Sequence, residues 1–341
     1  MRTHNVPRPG RRARYVAVKT AYGGGGFAGA LGLTYGVLAT EAKLARRTIG
    51  VPTTRAPLAA GSYGRGRRGD KPVHLVVLGD SAAAGLGCEL AEQTQGALLA
   101  GGIARDLHRR VDLEVLAVVG ARSTDLEVQV AKALRRPVDI AVLVIGANDV
   151  THRLPIVTSA RELSRAVATL RRSGAQVVVG TCPDLGTVKP VMQPLRTVAA
   201  VWSRKLAAAQ TVATVDAGGN AVSLGDLLAD DFHAHPHLWS ADRFHPSADG
   251  YRRIVDAMLP SALESLGVEI AVSVPISESV QDVQLAARVA AREPGVEVDP
   301  MPEGESGGGR LARLRRRLPL VGRGAPEGPT DPAELEDEET G

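Results

Sequence analysis

A chain of 341 residues with a net charge of +4 could hold two domains, but its ends are compositionally unsuited to packing and the middle alone suffices for one core. Aromatics are scarce while Ala, Val, Leu and Gly dominate, as in a buried parallel sheet covered by helices. The two cysteines, Cys88 and Cys182, supply neither a disulfide framework nor metal-ligand spacing, and no zinc-finger spacing or basic and aromatic interleaving marks a nucleic-acid partner.

In chain order, basic residues crowd positions 1–19, and residues 20–40 then run without a charge. A helix of about twenty residues crosses the hydrocarbon core, so this stretch reads as a membrane anchor with Tyr22 and Tyr35 toward the interfaces. A cleaved signal peptide and a soluble Gly-rich arm are the rivals. The glycine run Gly23 to Gly26 weakens a helix, and no clear Ala-x-Ala site precedes Glu41. A slight excess of positive charge before the span places the main domain outside, anchored in the cell envelope, or secreted if the segment is cleaved. Residues 41–72, basic and carrying Pro52 and Pro57, read as an exposed linker.

A regular alternation follows. Strands are predicted at 73–79, 112–119, 139–145, 176–181 and 211–216, and helices near 87–109, 123–136, 158–173, 195–209 and 247–265. Such repetition means a parallel sheet with helices on both faces, joined by right-handed crossovers. The expected fold is therefore α/β: a three-layer α/β/α, doubly wound, flavodoxin-like domain with five parallel strands over residues 73–268. Residues 269–300 form an extension with a helical stretch near 277–292. Residues 301–341 combine Gly307 to Gly309, a basic run from Arg310 to Arg317 and the acidic stretch Glu334 to Glu339. A composition like that is expected to stay disordered. Its basic run suits anionic lipid or the acidic tail, and a solvated tail is the plainer reading.

Chemistry gathers at the strand ends. The apolar run from Val73 to Leu78 closes on Gly79-Asp80-Ser81, with Ala82, Ala83, Ala84 and Gly85 behind it. This reads as a strand, a tight turn and a helix start, which sets the Ser81 N–H and hydroxyl at a helix N-terminus that favours an anion. Alone, Asp and Ser are equally ordinary turn and N-cap residues. Gly120 follows the second strand, and Gly146-Ala147-Asn148-Asp149 follows the third. In a sheet of order 2-1-3-4-5 these three strand ends line one crevice. The N–H of Ser81, the N–H of Gly120 and the side-chain amide of Asn148 can then converge on one oxygen as an oxyanion hole, although each residue also suits a plain turn.

The fourth piece is Asp242-Arg243-Phe244-His245-Pro246. A spacing of three lets the Asp242 carboxylate hold one imidazole nitrogen of His245 and turn the other toward a nucleophile, the polarity that proton transfer needs. Pro246 with Asp249 three later would equally suit a helix N-terminus.

Taken together, the four pieces resemble the SGNH (GDSL-type) hydrolase family, whose blocks Gly-Asp-Ser, Gly, Gly-x-Asn-Asp and Asp-x-x-His-Pro occur in that order. The resemblance covers about residues 73–265 and departs at Ala82, where the family's name motif has Leu. It implies a serine hydrolase that cleaves or transfers the acyl group of a small-molecule, lipid or glycan ester through an acyl-serine intermediate, with no cofactor and no metal. Ser81 is then the nucleophile and first oxyanion donor, Gly120 and Asn148 are the other donors, His245 is the base and Asp242 its partner. An α/β-hydrolase elbow is the enzymatic rival, and a catalytically silent envelope module binding glycan or lipid is the rival of another class. Asp230, Asp231, His233, His235 and His237 suggest zinc by alternation but suit a solvated loop better. Arg122, His152 and Arg243 are candidates to face the crevice and bias it toward acidic or polyol substrates.

Overall fold

The structure, a computed structural model, describes residues 55–67, 69–188, 191–225, 235–268, 277–293, 295–301 and 311–316. Its elements are β1 (Gly61–Tyr63), β2 (Val73–Gly79), α1 (Gln95–Leu107), β3 (Val111–Val115), α2 (Leu126–Ala133), β4 (Ile140–Val144), α3 (Ala147–Thr151), α4 (Ile156–Arg172), β5 (Gln176–Gly180), α5 (Leu195–Asp216), β6 (Asn220–Val222), α6 (Ala248–Ser265), β7 (Ser277–Asp282), α7 (Val283–Ala290), β8 (Val296–Pro300) and β9 (Leu311–Arg316).

Five strands in the order β3-β2-β4-β5-β6 are parallel, the 2-1-3-4-5 arrangement of a doubly wound sheet. The central strands are apolar on both faces because both faces are covered. Leu75 and Val77 of β2 point with Val142 of β4 into a core shared with Leu99 and Ile103 of α1 and Met258 and Leu259 of α6. Val76, Leu78 and Leu143 point the other way, against Leu126 and Val130 of α2 and Leu163 and Val167 of α4. The period of two along each strand thus serves two cores at once.

The sheet is wider than the sequence suggests. β1 adds antiparallel to β3, so part of the expected linker 41–72 belongs to the sheet. At the far edge β8, β9 and β7 add antiparallel beyond β6. The helix expected near 277–292 is a strand followed by a shorter helix. Residues 311–316, within the stretch expected to be disordered, form β9, whose Ala312 and Leu314 pack with Ala286 and Ala290 of α7. The expected fifth strand at 211–216 is instead the last turn and a half of α5. There Thr211 donates its hydroxyl to the Ala207 carbonyl at 3.0 Å, and the chain leaves the helix at Gly218 and Gly219 before entering β6.

Candidate active site

Ser81 stands just past β2, at the strand whose neighbours β3 and β4 run off to either side. Gly79 makes that exit possible. Its φ is +135°, and a side chain there would meet the Val144 carbonyl of β4. The Asp80 amide donates to that same carbonyl at 3.2 Å. From α2, the buried Gln129 grips Gly79 twice, accepting from its N–H at 2.7 Å and donating to its carbonyl at 2.9 Å. No helix starts at Ser81, contrary to expectation. Residues 81–87 are turns, with Gly85 and Gly87 at positive φ, and α1 begins only at Gln95 behind its N-cap Thr94. Helix polarity therefore contributes little at Ser81. What remains is a backbone N–H with no hydrogen-bond partner among the described residues.

The histidine arrives from a tight loop closed by the Trp239 and Pro246 bridge and by the Ser240 amide donating to the His245 carbonyl at 2.9 Å. Arg243 takes a left-handed φ of 55° to make the bend. Asp242 organises the loop. One carboxylate oxygen accepts from the Ser240 hydroxyl and from the amides of Phe244 and His245 at 2.8, 2.8 and 2.9 Å. The other lies 2.6 Å from His245 Nδ1. Burial acts to raise this carboxyl, but the imidazole and backbone donors outweigh it and hold Asp242 far below the usual carboxylate range. A carboxylate on Nδ1 keeps the proton there, so Nε2 is free to accept from the Ser81 hydroxyl at 2.9 Å. The helix start that competed with this reading also exists: Ser247 caps α6.

Ser81 and His245 are 164 residues apart in the chain, and two further contacts hold them in register. Tyr251, fully buried in the first turn of α6, donates to the Leu86 carbonyl at 2.7 Å, and the Leu86 amide in turn donates to the Ser81 carbonyl at 2.9 Å. Gly87 lies so close under the histidine loop that a Cβ would sit 2.5 Å from the Pro246 carbonyl.

On the opposite flank, the loop after β3 carries Gly120, exposed, at φ 84° and with an unpartnered N–H among the described residues. Two consecutive residues of α3 tie this loop down. Asn148 donates one amide hydrogen to the Ala121 carbonyl at 3.0 Å, leaving the second free. Asp149 is buried and accepts from the Ser123 amide at 2.9 Å and from the Ser123 hydroxyl. Burial raises the Asp149 carboxyl, and the Ser123 donors partly offset this. From α5, Gln210 bridges the Ile145 carbonyl and the Cys182 amide at 2.9 and 2.7 Å, fixing the ends of β4 and β5 beside α3.

A hydroxyl on an imidazole on a carboxylate can attack a carbonyl and shuttle its proton. The family model of GDSL-like lipases and acylhydrolases matches residues 77–253, and the GDSL-like esterase Rv1075c of Mycobacterium tuberculosis is 40% identical over 285 residues, covering 80% of this chain and 89% of that one. The chain belongs to the GDSL-like lipase/acylhydrolase family. Membership places it among the carboxylic-ester hydrolases and sets aside the α/β-hydrolase alternative. Similar solved structures include the acetylxylan esterase Axe2 of Geobacillus stearothermophilus, 17% identical, covering 59% of this chain and 97% of that one at a TM-score of 0.44. Another is an extracellular lipase of Streptomyces rimosus, 18% identical, covering 57% and 99% at a TM-score of 0.42.

Arg243 lies inside the histidine loop and His152 Nδ1 is 2.9 Å from the Asn148 carbonyl, so both border this GDSL-type site. Arg122, His152 and Arg243 are exposed, and none of them hydrogen-bonds Ser81, Asp242 or His245. Cys88 and Cys182 are free and buried. Burial pushes the Cys88 thiol up to about 12 and the Cys182 thiol well above its ordinary value, so neither is a ready nucleophile. Asp230, Asp231 and His233 lie outside the described residues; His235 and His237 are exposed, and no metal-holding group of three occurs among the described residues. No described helix is long and apolar enough to cross a membrane, and the expected anchor at 20–40 lies outside the described residues. Gln129, Gln210 and Tyr251 are the supports that sequence reasoning missed. Their one visible signal is a polar residue at a core-facing helical position.

Proposed function

We propose that the chain cleaves carboxylic esters through a covalent acyl-serine, with Ser81 as nucleophile, His245 as general base and acid, and Asp242 as the group that orients the imidazole. The observation that carries this reading is the unbroken hydrogen-bond chain from Ser81 Oγ through His245 to Asp242, at 2.9 and 2.6 Å. Ser81 Oγ adds to the ester carbonyl as His245 Nε2 takes its proton. Asp242 steadies the imidazolium. The oxygen of the tetrahedral intermediate is met by the amides of Ser81 and Gly120 and the free amide hydrogen of Asn148. Collapse expels the alcohol, protonated by His245. Water, or a second hydroxyl in acyl transfer, then repeats the sequence and frees Ser81.

Residues 20–40, uncharged between basic flanks, support an anchor that keeps the domain at the outer face of the membrane. Deleting residues 1–40 is expected to abolish carbonate-resistant membrane association.

The experiment that tests the chemistry is turnover of p-nitrophenyl acetate by wild type and by Ser81→Ala, with folding checked by circular dichroism. Loss of activity in a folded variant, together with a stoichiometric mass adduct of a fluorophosphonate on Ser81, supports the assignment. Equal activity in both proteins overturns it.

A further inference from the structure

Two hollows flank the β2 exit, and only one of them touches the reacting groups. The larger, about 470 Å³, lies between residues 55–60 and the β3 exit and meets neither Ser81 nor His245. The smaller, about 50 Å³, is lined by both. Its back wall is Val144, Leu224 and Ile254, which belong to the packed core. Trp239 and Phe244 roof it from the histidine loop, and Leu185 and Val188 close the front from the loop after β5. Gly120 and Asn148 are absent from its lining. A carbonyl bonded to Ser81 Oγ with its oxygen turned to Gly120 and Asn148 leaves this hollow on the side away from those donors, open to one of its two other substituents.

We infer that the 50 Å³ cavity beside Ser81 seats the acyl group and restricts the enzyme to esters of short, uncharged acids of about four carbons or fewer. This rests on the reading of Ser81 as nucleophile. Size is the first reason. At roughly 10–15 Å³ of cavity per water-sized atom, the hollow takes about four heavy atoms, and the back wall cannot retreat without displacing core side chains. Charge is the second. Apart from Ser81 and His245, the charged or polar side chains in the lining are Asp80, Asp184 and Thr187. Asp80 accepts from the Ala82 amide at 3.0 Å, and Asp184 accepts from the Gly186 amide and from Arg204, both at 2.7 Å. The Thr187 hydroxyl donates to the Asp184 carbonyl at 2.7 Å. Among the described residues no cationic side chain other than His245 lines the hollow, and Asp184 already holds Arg204, so an acyl chain ending in a carboxylate would meet the buried Asp80 with no free counter-charge among those residues.

The test is an acyl series of p-nitrophenyl esters on the full chain, with Ser81→Ala as the control. Wild type is expected to show a kcat/KM for acetate through butyrate at least about 10²-fold above octanoate, since each unaccommodated methylene in a closed pocket costs about a factor of ten or more. The hemisuccinate, matched in carbon number to butyrate but ending in a carboxylate, is expected to fall below it by a similar factor. Leu185→Ala should raise the octanoate-to-acetate ratio of kcat/KM at least about tenfold, and Val188→Phe should lower the butyrate-to-acetate ratio by about as much. Octanoate or hemisuccinate handled as well as butyrate by wild type, with Ser81→Ala inactive, overturns the acyl seat and leaves the nucleophile standing. Activity retained in Ser81→Ala overturns the nucleophile. The wild-type series decides the matter even if either pocket variant fails to fold.

Discussion

The two flanks of Ser81 are built to opposite specifications. Toward the histidine everything is shut: Ser81 and His245 are 8% and 5% exposed, Gly87 packs against the loop without room for a methyl, and Tyr251 ties α6 to the Ser81 turn. Toward Gly120 the molecule is open. Nothing lies within 4 Å of where a Gly120 side chain would be, and Val118 and Val119 are 52% and 49% exposed. Proton transfer tolerates only a few tenths of an ångström between heavy atoms, and packing over-determines the pair proposed to perform it. The ester has to enter and its alcohol leave, and Gly120, one of the three proposed oxyanion donors, sits on an exposed loop that α3 ties down through Asn148 and Asp149.

Changes on the closed flank should therefore cost most. Asp242→Asn keeps the shape of the loop but presents an amide where His245 Nδ1 needs an acceptor of full charge. A loss of roughly 10³–10⁴ in kcat is expected, read from p-nitrophenyl acetate turnover against the uncatalysed rate. On the open flank, Asn148→Ala removes one donor of three and should lower kcat by about 10²–10³ with KM little changed. A large rise in KM at normal kcat would make Asn148 a substrate contact and erase the functional contrast between the flanks.

The same contrast can be sharpened with two tyrosines that are alike except in position. Tyr251 and Tyr63 are both fully buried, and each donates at 2.7 Å to a backbone carbonyl, Leu86 and Ala59 respectively. Replacing either by Phe leaves a carbonyl unpaired and should destabilise by ~1–3 kcal/mol. Only Tyr251 joins the serine turn to the histidine helix. Tyr251→Phe is expected to lower kcat about tenfold at unchanged KM, whereas Tyr63→Phe, at the β1 edge, should leave kcat alone. Parallel kinetics in the two variants would reduce Tyr251 to a packing residue.

What the sequence made legible divides along similar lines. Four of the five parallel strands announced themselves as short apolar runs, whereas the three-residue β6 did not, and Asp242 and His245 could be paired because three residues of spacing place them in one turn. The edge strands hid. In Leu311-Ala-Arg-Leu-Arg-Arg316 an inward Ala312 and Leu314 alternate with arginines, so a basic run masked a period of two. The run at 211–216 misled for the converse reason: its threonines and valines have strand propensity, but packing on α5 prevails over so weak a preference. The Ser81 turn resembles a helix start because small residues follow it, but Gly85 and Gly87 take positive φ and bend the chain instead. Gln129, Gln210 and Tyr251 act through bonds spanning 50, 65 and 165 residues, which no local pattern encodes.

The smallest effect expected is one of stability. Asp80 lies beneath Ser81, where burial pushes its carboxyl up to about 6; the Ala82 amide and His245 oppose the rise, and Asp149 adds to it. Unfolded, the same group titrates near 3.9. Between those values the folded chain binds more protons than the unfolded one, so this group's contribution makes stability fall as pH rises from about 4 to 6 and then level off. Asp242 works in the opposite sense, its contribution being present above the unfolded value near 4 and lost progressively as pH falls from there toward its much lower folded value, and it is common to both proteins compared. Asp80→Asn keeps an acceptor for the Ala82 amide and removes the charge. The variant should melt several degrees above wild type at pH 7.5 and together with it at pH 4. A gap of the same size at both pH values would mean that packing, not a buried charge, sets the difference, and that the closed flank carries no electrostatic cost at Asp80.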